Sequence, residues 1–197
     1  MQYQINHIYH IYNRGNNRQK IFFKRINYLF FLEKMRRFLQ PHCDILSYCL
    51  MPNHFHFQIR ANENSIKTVT IKDEERNVIS EAIRIMLSSY SQAINKQERR
   101  TGSLFTQNTR VKDLTPAPVD WEYPATCFHY IHQNPFVASL VTKMEDWEFS
   151  SFTNYHQNRN KTLCNQALAK EVLRIDFDNF YDESYKNINP EKILKIW

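Results

Sequence analysis

The stretch DILSYCLMPNHFHFQIR, residues 44–60, holds two strand-like segments joined by Met51-Pro52-Asn53. Pro52 presets one turn dihedral and Asn53 tolerates turn geometry, so the two segments are expected to fold back as a β-hairpin. Side chains two apart on a strand share a face, which puts His54 and His56 together and sends Phe55 and Phe57 into an apolar layer behind them. Two neutral imidazoles held this way can share one divalent metal and leave positions open for a substrate oxygen. The same spacing suits two hydrogen-bonded surface histidines, so the pair has to be read with its surroundings.

Working outward from the hairpin, His7 to Asn13 alternates and is rich in Ile and Tyr, the pattern of a first strand, and the polar turn Asn13-Arg14-Gly15-Asn16-Asn17 follows. Asn27 to Gln40 carries Tyr28, Phe31, Leu32, Met35, Phe38 and Leu39 at helical spacing, with Pro41 just past its end. Beyond the hairpin, residues 61–73 read as a polar connection. A long helix is predicted from about Asp73 to Gln97, with Asp73, Glu74 and Glu75 at its start, where the helix dipole favours negative charge. Leu104-Phe105 and then Arg110 to Leu114 supply a last short strand. Strand, helix, strand, strand, helix, strand is the ferredoxin-like order, an α+β fold whose antiparallel sheet carries helices on one face.

Pro116 to Pro124 forms a proline-rich connection into a further helix containing Phe128, Tyr130, Ile131 and Asn134. Pro135 disfavours helical geometry at its predecessor, so this helix is expected to end near Gln133 or Asn134. Tyr130 and Asn134 are four apart and share a helix face. Phe136 to Val141 reads as an apolar turn, and Trp147 to Phe152 as a segment packed on the body. Residues 1–155 thus form one domain, and residues 156–197 a helical tail packed on or extending it, marked by Leu168, Val172, Leu173, Phe177 and Phe180.

Charge is unevenly spread. The net charge is +6, yet residues 1–60 carry nine Lys/Arg against Glu33 and Asp44, whereas the remainder carries 17 basic against 18 acidic residues. Arg14, Arg18, Arg36 and Arg37 interleave with Tyr9, Tyr12, Phe22, Phe23 and Tyr28, a mixture suited to a phosphate backbone with bases to stack, and equally to a solvated basic face over core aromatics. Cys43, Cys49, Cys127 and Cys164 show neither CxxC pairing nor zinc-finger spacing and read as reduced thiols. The N-terminus has no signal-peptide order, and the longest apolar run, Tyr28 to Leu32, is too short to span a bilayer; a soluble cytoplasmic protein is expected.

Five strings in this order, YHIYNRGNN (9–17), LMPNHFHFQI (50–59), GSLF (102–105), YIHQNPFVASLV (130–141) and WEFSSF (147–152), resemble the REP-associated tyrosine transposases, single-tyrosine members of the HUH superfamily. The resemblance covers roughly residues 7–155. It implies a metal-dependent endonuclease and strand transferase using Mg2+ or Mn2+, acting on single-stranded DNA that folds into a hairpin. His54 and His56 would then be metal ligands, Asn134 the third ligand, and Tyr130 the nucleophile that forms a 5'-phosphotyrosine link and frees a 3'-hydroxyl. Arg14 and Asn16 of the first loop, with Arg18, Arg36 and Arg37, are the candidate DNA contacts. Phe136 and Ser139 depart from the Val and Gly more usual in that family, which touches packing after the helix. Two other readings stay open: a hairpin-DNA-binding protein with weak or no catalysis, and a phosphodiesterase that uses water as nucleophile. His129 and His132, three apart, are weaker metal candidates, and a monomer and a homodimer are equally compatible with the sequence.

Overall fold

In a computed structural model, which describes residues 2–115, 122–157, 159 and 162–196, the hairpin forms as read. Strand β2 (Cys43–Met51) pairs antiparallel with β3 (His54–Ala61), and β3 pairs with β1 (Ile8–Arg14), which pairs in turn with β6 (Arg110–Asp113). The sheet order β2-β3-β1-β6 places the histidine strand inside, hydrogen-bonded on both sides. This is a mixed α+β fold on an antiparallel sheet.

Alternation along β3 sorts its two faces. Phe55, Phe57 and Ile59 are fully buried toward helices α1 (Arg25–Lys34) and α2 (Val78–Gln97), where Phe55 meets Phe105 edge to face and Phe31 at a tilt, and Phe31 is in turn met edge to face by Phe22 and Tyr90. Each such phenyl burial contributes about 2–3 kcal/mol, so this layer anchors the sheet. His54, His56 and Gln58 face the other way, toward α3 (Glu122–Val137); Gln58 donates to the Pro124 carbonyl at 2.9 Å. Helices thus cover both faces, α1 and α2 on one and the tyrosine-bearing α3 on the other.

Three elements differ from expectation. The polar connection after β3 contains a second hairpin, β4 (Thr68–Ile71) with β5 (Glu74–Asn77). Its two-residue loop, Lys72-Asp73, has both residues at positive φ (49° and 66°), the turn whose twist matches paired strands. Glu74 and Glu75 therefore lie in a strand, and α2 begins later, capped by Asn77, whose Oδ1 accepts from the Ile79 and Ser80 amides at 2.9 and 3.3 Å. The first helix widens into a π-turn over Met35–Leu39.

Helix α3 runs through Pro135 to Val137. The helix closes one turn later: Leu140 N reaches back to Pro135 O at 2.9 Å, and Ser139 adopts the left-handed backbone (φ 55°) that ends a helix. Of the proline-rich connection, residues 116–121 lie outside the described residues.

The free edge of β2 is covered by the Trp147–Phe152 segment. Leu50 N donates to Phe149 O and Ser151 N to Tyr48 O, each at 2.9 Å, and the Trp147 indole donates to Leu50 O at 3.1 Å. Beyond α4 (Phe152–His156), helices α5 (Gln166–Leu173), α6 (Phe180–Tyr185) and α7 (Pro190–Ile196) pack against α3 and β2. Gln133 of α3 donates to the Ser184 and Lys186 carbonyls at 2.7 and 2.8 Å, which ties the helix to this layer. No described helix is long and apolar enough to cross a membrane.

Candidate metal and nucleic-acid site

The loop after β1 rests directly on the turn that precedes His54. Gly15 N donates to Asn53 O at 2.7 Å and Ile21 N to Pro52 O at 2.8 Å. The loop doubles back so tightly that a Cβ at Gly15 would sit 2.1 Å from Gln19 O, so only glycine fits. Asn17 and Arg18 follow in left-handed conformation (φ 52° and 57°), an arrangement that costs on the order of 1 kcal/mol per residue and is held by these contacts.

Between this loop, β3, the end of α3 and the segment entering β6 lies a cleft of about 760 Å3. His54, His56 and Asn134 line it together with Arg14, Arg18 and Arg110, and none of its lining residues is acidic. Its field is therefore one that attracts anions.

Hydrogen-bond partners determine the proton positions on the histidines. His10 Nδ1 faces the Ile196 carbonyl at 3.3 Å, and a carbonyl only accepts, so this nitrogen carries the proton. His10 Nε2 is then an acceptor, and His56 Nδ1, 2.9 Å away, donates to it. The lone pair of His56 falls on Nε2. His54 follows the same pattern: its Nδ1 donates to Asn53 Oδ1 at 2.7 Å, placing a lone pair on Nε2. The Asn134 amide is oriented by its own helix, since Nδ2 donates to Tyr130 O at 2.8 Å and Oδ1 consequently faces His54 Nε2 at 3.4 Å.

Two lone-pair donors facing each other at that distance make a poor hydrogen bond and a good start on a cation site. Among the described residues no group of three His, Cys, Asp or Glu side chains is arranged to hold a metal ion, so a metal here would be held by two imidazoles and an amide oxygen, an open and uncharged set. These residues fit a divalent ion that completes its coordination with phosphate or water.

Burial keeps the imidazoles neutral. It lowers His10 to about 4 and pushes His56 well below the usual value, with neighbouring His10 and His54 adding to the effect. His54 is lowered by burial and by the Arg14 charge, while the contact to Asn134 works in the opposite direction.

Tyr130 lies beside the pair. Its ring meets His56 edge to face with centroids 5.7 Å apart, and it is half-buried against the core. His54, His56, Asn134 and Tyr130 are thus brought to one place from β3 and α3. Of the candidate DNA contacts, Arg14 and Arg18 line the cleft, and Asn16 is exposed on the same loop. Arg36 and Arg37 lie across the sheet, at the end of the first helix, where Arg36 pairs with Glu33 at 3.2 Å and Arg37 stacks over Phe38. His129 and His132 point away from the cleft, to Ser184 Oγ (3.0 Å) and Ser151 Oγ (2.7 Å). The sequence reading missed His10, Asn53 and Arg110. For His10 the signal was present in the period of β1, where His10 and Tyr12 share the face of the β3 histidines once the strands pair.

No protein-family model and no curated protein matches this sequence. Among solved structures, the chain is similar to a REP-associated tyrosine transposase bound to a REP hairpin, at TM-score 0.60 and 14% identity, over 83% of this chain and 87% of that one. At this identity the likeness is one of fold. Weaker matches link it to a bacterial tRNA(His) guanylyltransferase-like protein with GTP (TM-score 0.43, 11% identity, 68% and 64% covered) and with ATP (0.44, 12%, 96% and 75%).

Proposed function

We propose that this protein is a metal-dependent endonuclease and strand transferase that nicks and rejoins single-stranded DNA beside hairpins, with Tyr130 as nucleophile. One arrangement carries the reading: His54, His56 and Asn134 line an arginine-bearing cleft together, both imidazoles engaged through Nδ1 so that Nε2 is left as the acceptor, with the Tyr130 ring against His56. The fold shared with a transposase solved on hairpin DNA agrees with it.

His54, His56 and Asn134 would hold Mg2+ or Mn2+, which when bound supplies Lewis-acid polarisation of the scissile phosphate. Arg14, Arg18 and Arg110 bind flanking phosphates and fix the strand's register. Tyr130 Oη gives up its proton as it forms the new bond to phosphorus; the phosphorus–O3' bond breaks, and the leaving oxygen takes up one proton to become a 3'-hydroxyl, so that no net proton is consumed. Because one phosphate ester replaces another, attack by a 3'-hydroxyl on the phosphotyrosine reverses the step and rejoins DNA. Residues 1–155 supply these groups, and helices α5, α6 and α7 pack against α3.

A second reading, a hairpin-binding protein that does not cut, draws on the half-burial of Tyr130. Incubation with end-labelled hairpin oligonucleotides and Mn2+, followed by denaturing electrophoresis, separates the two. The endonuclease reading expects a denaturant-resistant adduct that is lost in Tyr130→Phe. Undiminished cleavage by Tyr130→Phe would overturn the tyrosine's role, and retarded complexes on a native gel without cleavage would establish the binding protein.

A further inference from the structure

The metal-ligand reading leaves unexplained why a fully buried histidine, His10, sits behind His56 on the neighbouring strand. Its ring lies nearly parallel to His56 at 5.1 Å and to Tyr12 at 4.7 Å, so three rings form a layer under the cleft floor. Strand register puts it there: Tyr12 is paired with His56, and His10 stands two residues along the same face. His10 has no route to the cleft, whose lining residues do not include it. What it does contact are His56 Nδ1 at 2.9 Å and the Ile196 carbonyl of α7 at 3.3 Å.

From this geometry we infer that His10 is a positioning residue: anchored by the Ile196 carbonyl, it accepts the Nδ1 proton of His56 and so holds His56 in the tautomer whose Nε2 lone pair faces the cleft. An imidazole without such a partner distributes its proton between both nitrogens and can turn about its χ2 bond. Metal-bound histidines in general have the second nitrogen engaged in this way, most often by a carboxylate or a backbone carbonyl. Here a second imidazole fills that role, relaying a carbonyl's acceptor character over two rings, and it does so without adding a negative charge beside the cleft. The inference rests on the metal-ligand role given to His56 above.

Nitrogen-15 NMR of the histidine-labelled full chain at neutral pH tests it without metal or DNA, with His56 assigned from the spectrum of His56→Ala. The expected result is His56 protonated at Nδ1; protonation at Nε2 overturns the inference with no variant needed. His10→Phe, which keeps the ring but cannot accept, is expected to shift His56 toward the other tautomer and weaken Mn2+ binding roughly 10- to 100-fold. His10→Gln, whose amide oxygen can accept the same proton, is expected to restore the wild-type pattern. An unchanged tautomer and unchanged Mn2+ affinity in His10→Phe would overturn the role of His10. Wild-type protein that shows the Nδ1 tautomer yet does not bind Mn2+ would overturn the metal reading instead, so the two failures are distinct.

Discussion

His129 and Tyr130 are adjacent on α3 yet serve different ends, because successive helical residues face about 100° apart. Tyr130 turns to the histidine pair, whereas His129 turns to α6, bonding Ser184 Oγ and lying beside the ring of Phe180. Burial lowers His129 to about 4; Glu183 opposes that shift and Lys186 reinforces it. Above pH 6.5 the imidazole is neutral in folded and unfolded chain alike. Below it, the unfolded chain takes a proton that the folded chain refuses, so stability falls as the pH drops toward 4. In urea unfolding, His129→Gln is expected to lose about 1–2 kcal/mol less than wild type between pH 7 and pH 5. Parallel losses in the two proteins would show that His129 does not titrate in this way. At this scale the sequence was informative where chemistry is local: His54 and His56 declare their shared face by spacing alone. For His10 the period of β1 gave its face but not its partner, because which residue of β1 lies beside His56 is a matter of strand register, and register is settled by the whole sheet.

Among elements, those with a clear period were legible and those ended by backbone geometry were not. The α2 stripe of Ile79, Ile83, Met86, Tyr90 and Ile94 is buried as its period requires. The β4–β5 hairpin was hidden because its left-handed turn is made by Lys72 and Asp73, in place of the Asn-Gly pair that usually marks such a turn. The end of α3 misled in the other direction. Pro135 suggested a stop, yet the helix closes at Ser139, in left-handed backbone that favours glycine. Ser139→Gly relieves that conformation at an exposed position and is expected to stabilise the protein by about 0.5–1 kcal/mol, raising the midpoint of thermal unfolding by a few degrees. A lowered midpoint would mean that the serine side chain contributes something its exposure does not suggest.

Over the whole molecule, the basic excess of residues 1–60 was legible but its division was not, since the two layers of the sheet separate arginines that are close in sequence. Arg14 and Arg18 line the cleft with Arg110, while Arg36 and Arg37 lie behind the sheet. Each phosphate contact to single-stranded DNA adds about 0.7 to the slope of log affinity against log salt. Arg18→Ala and Arg110→Ala are expected each to reduce that slope by roughly this amount in fluorescence-anisotropy titrations, and Arg36→Ala with Arg37→Ala to leave it unchanged. A slope that falls only in the Arg36 and Arg37 variants would move the DNA to the other face. The hydrogen-bond chain from His56 through His10 ends at Ile196, 186 residues from His10. At typical translation speeds of 5–20 residues per second, roughly 10 to 30 s pass between the emergence of the histidine strand and that of its final hydrogen-bond acceptor. Throughout that interval the nascent chain carries the β3 histidines and the basic loop without the carbonyl that anchors His10, so the hydrogen-bond chain behind His56 is completed only when α7 has been made.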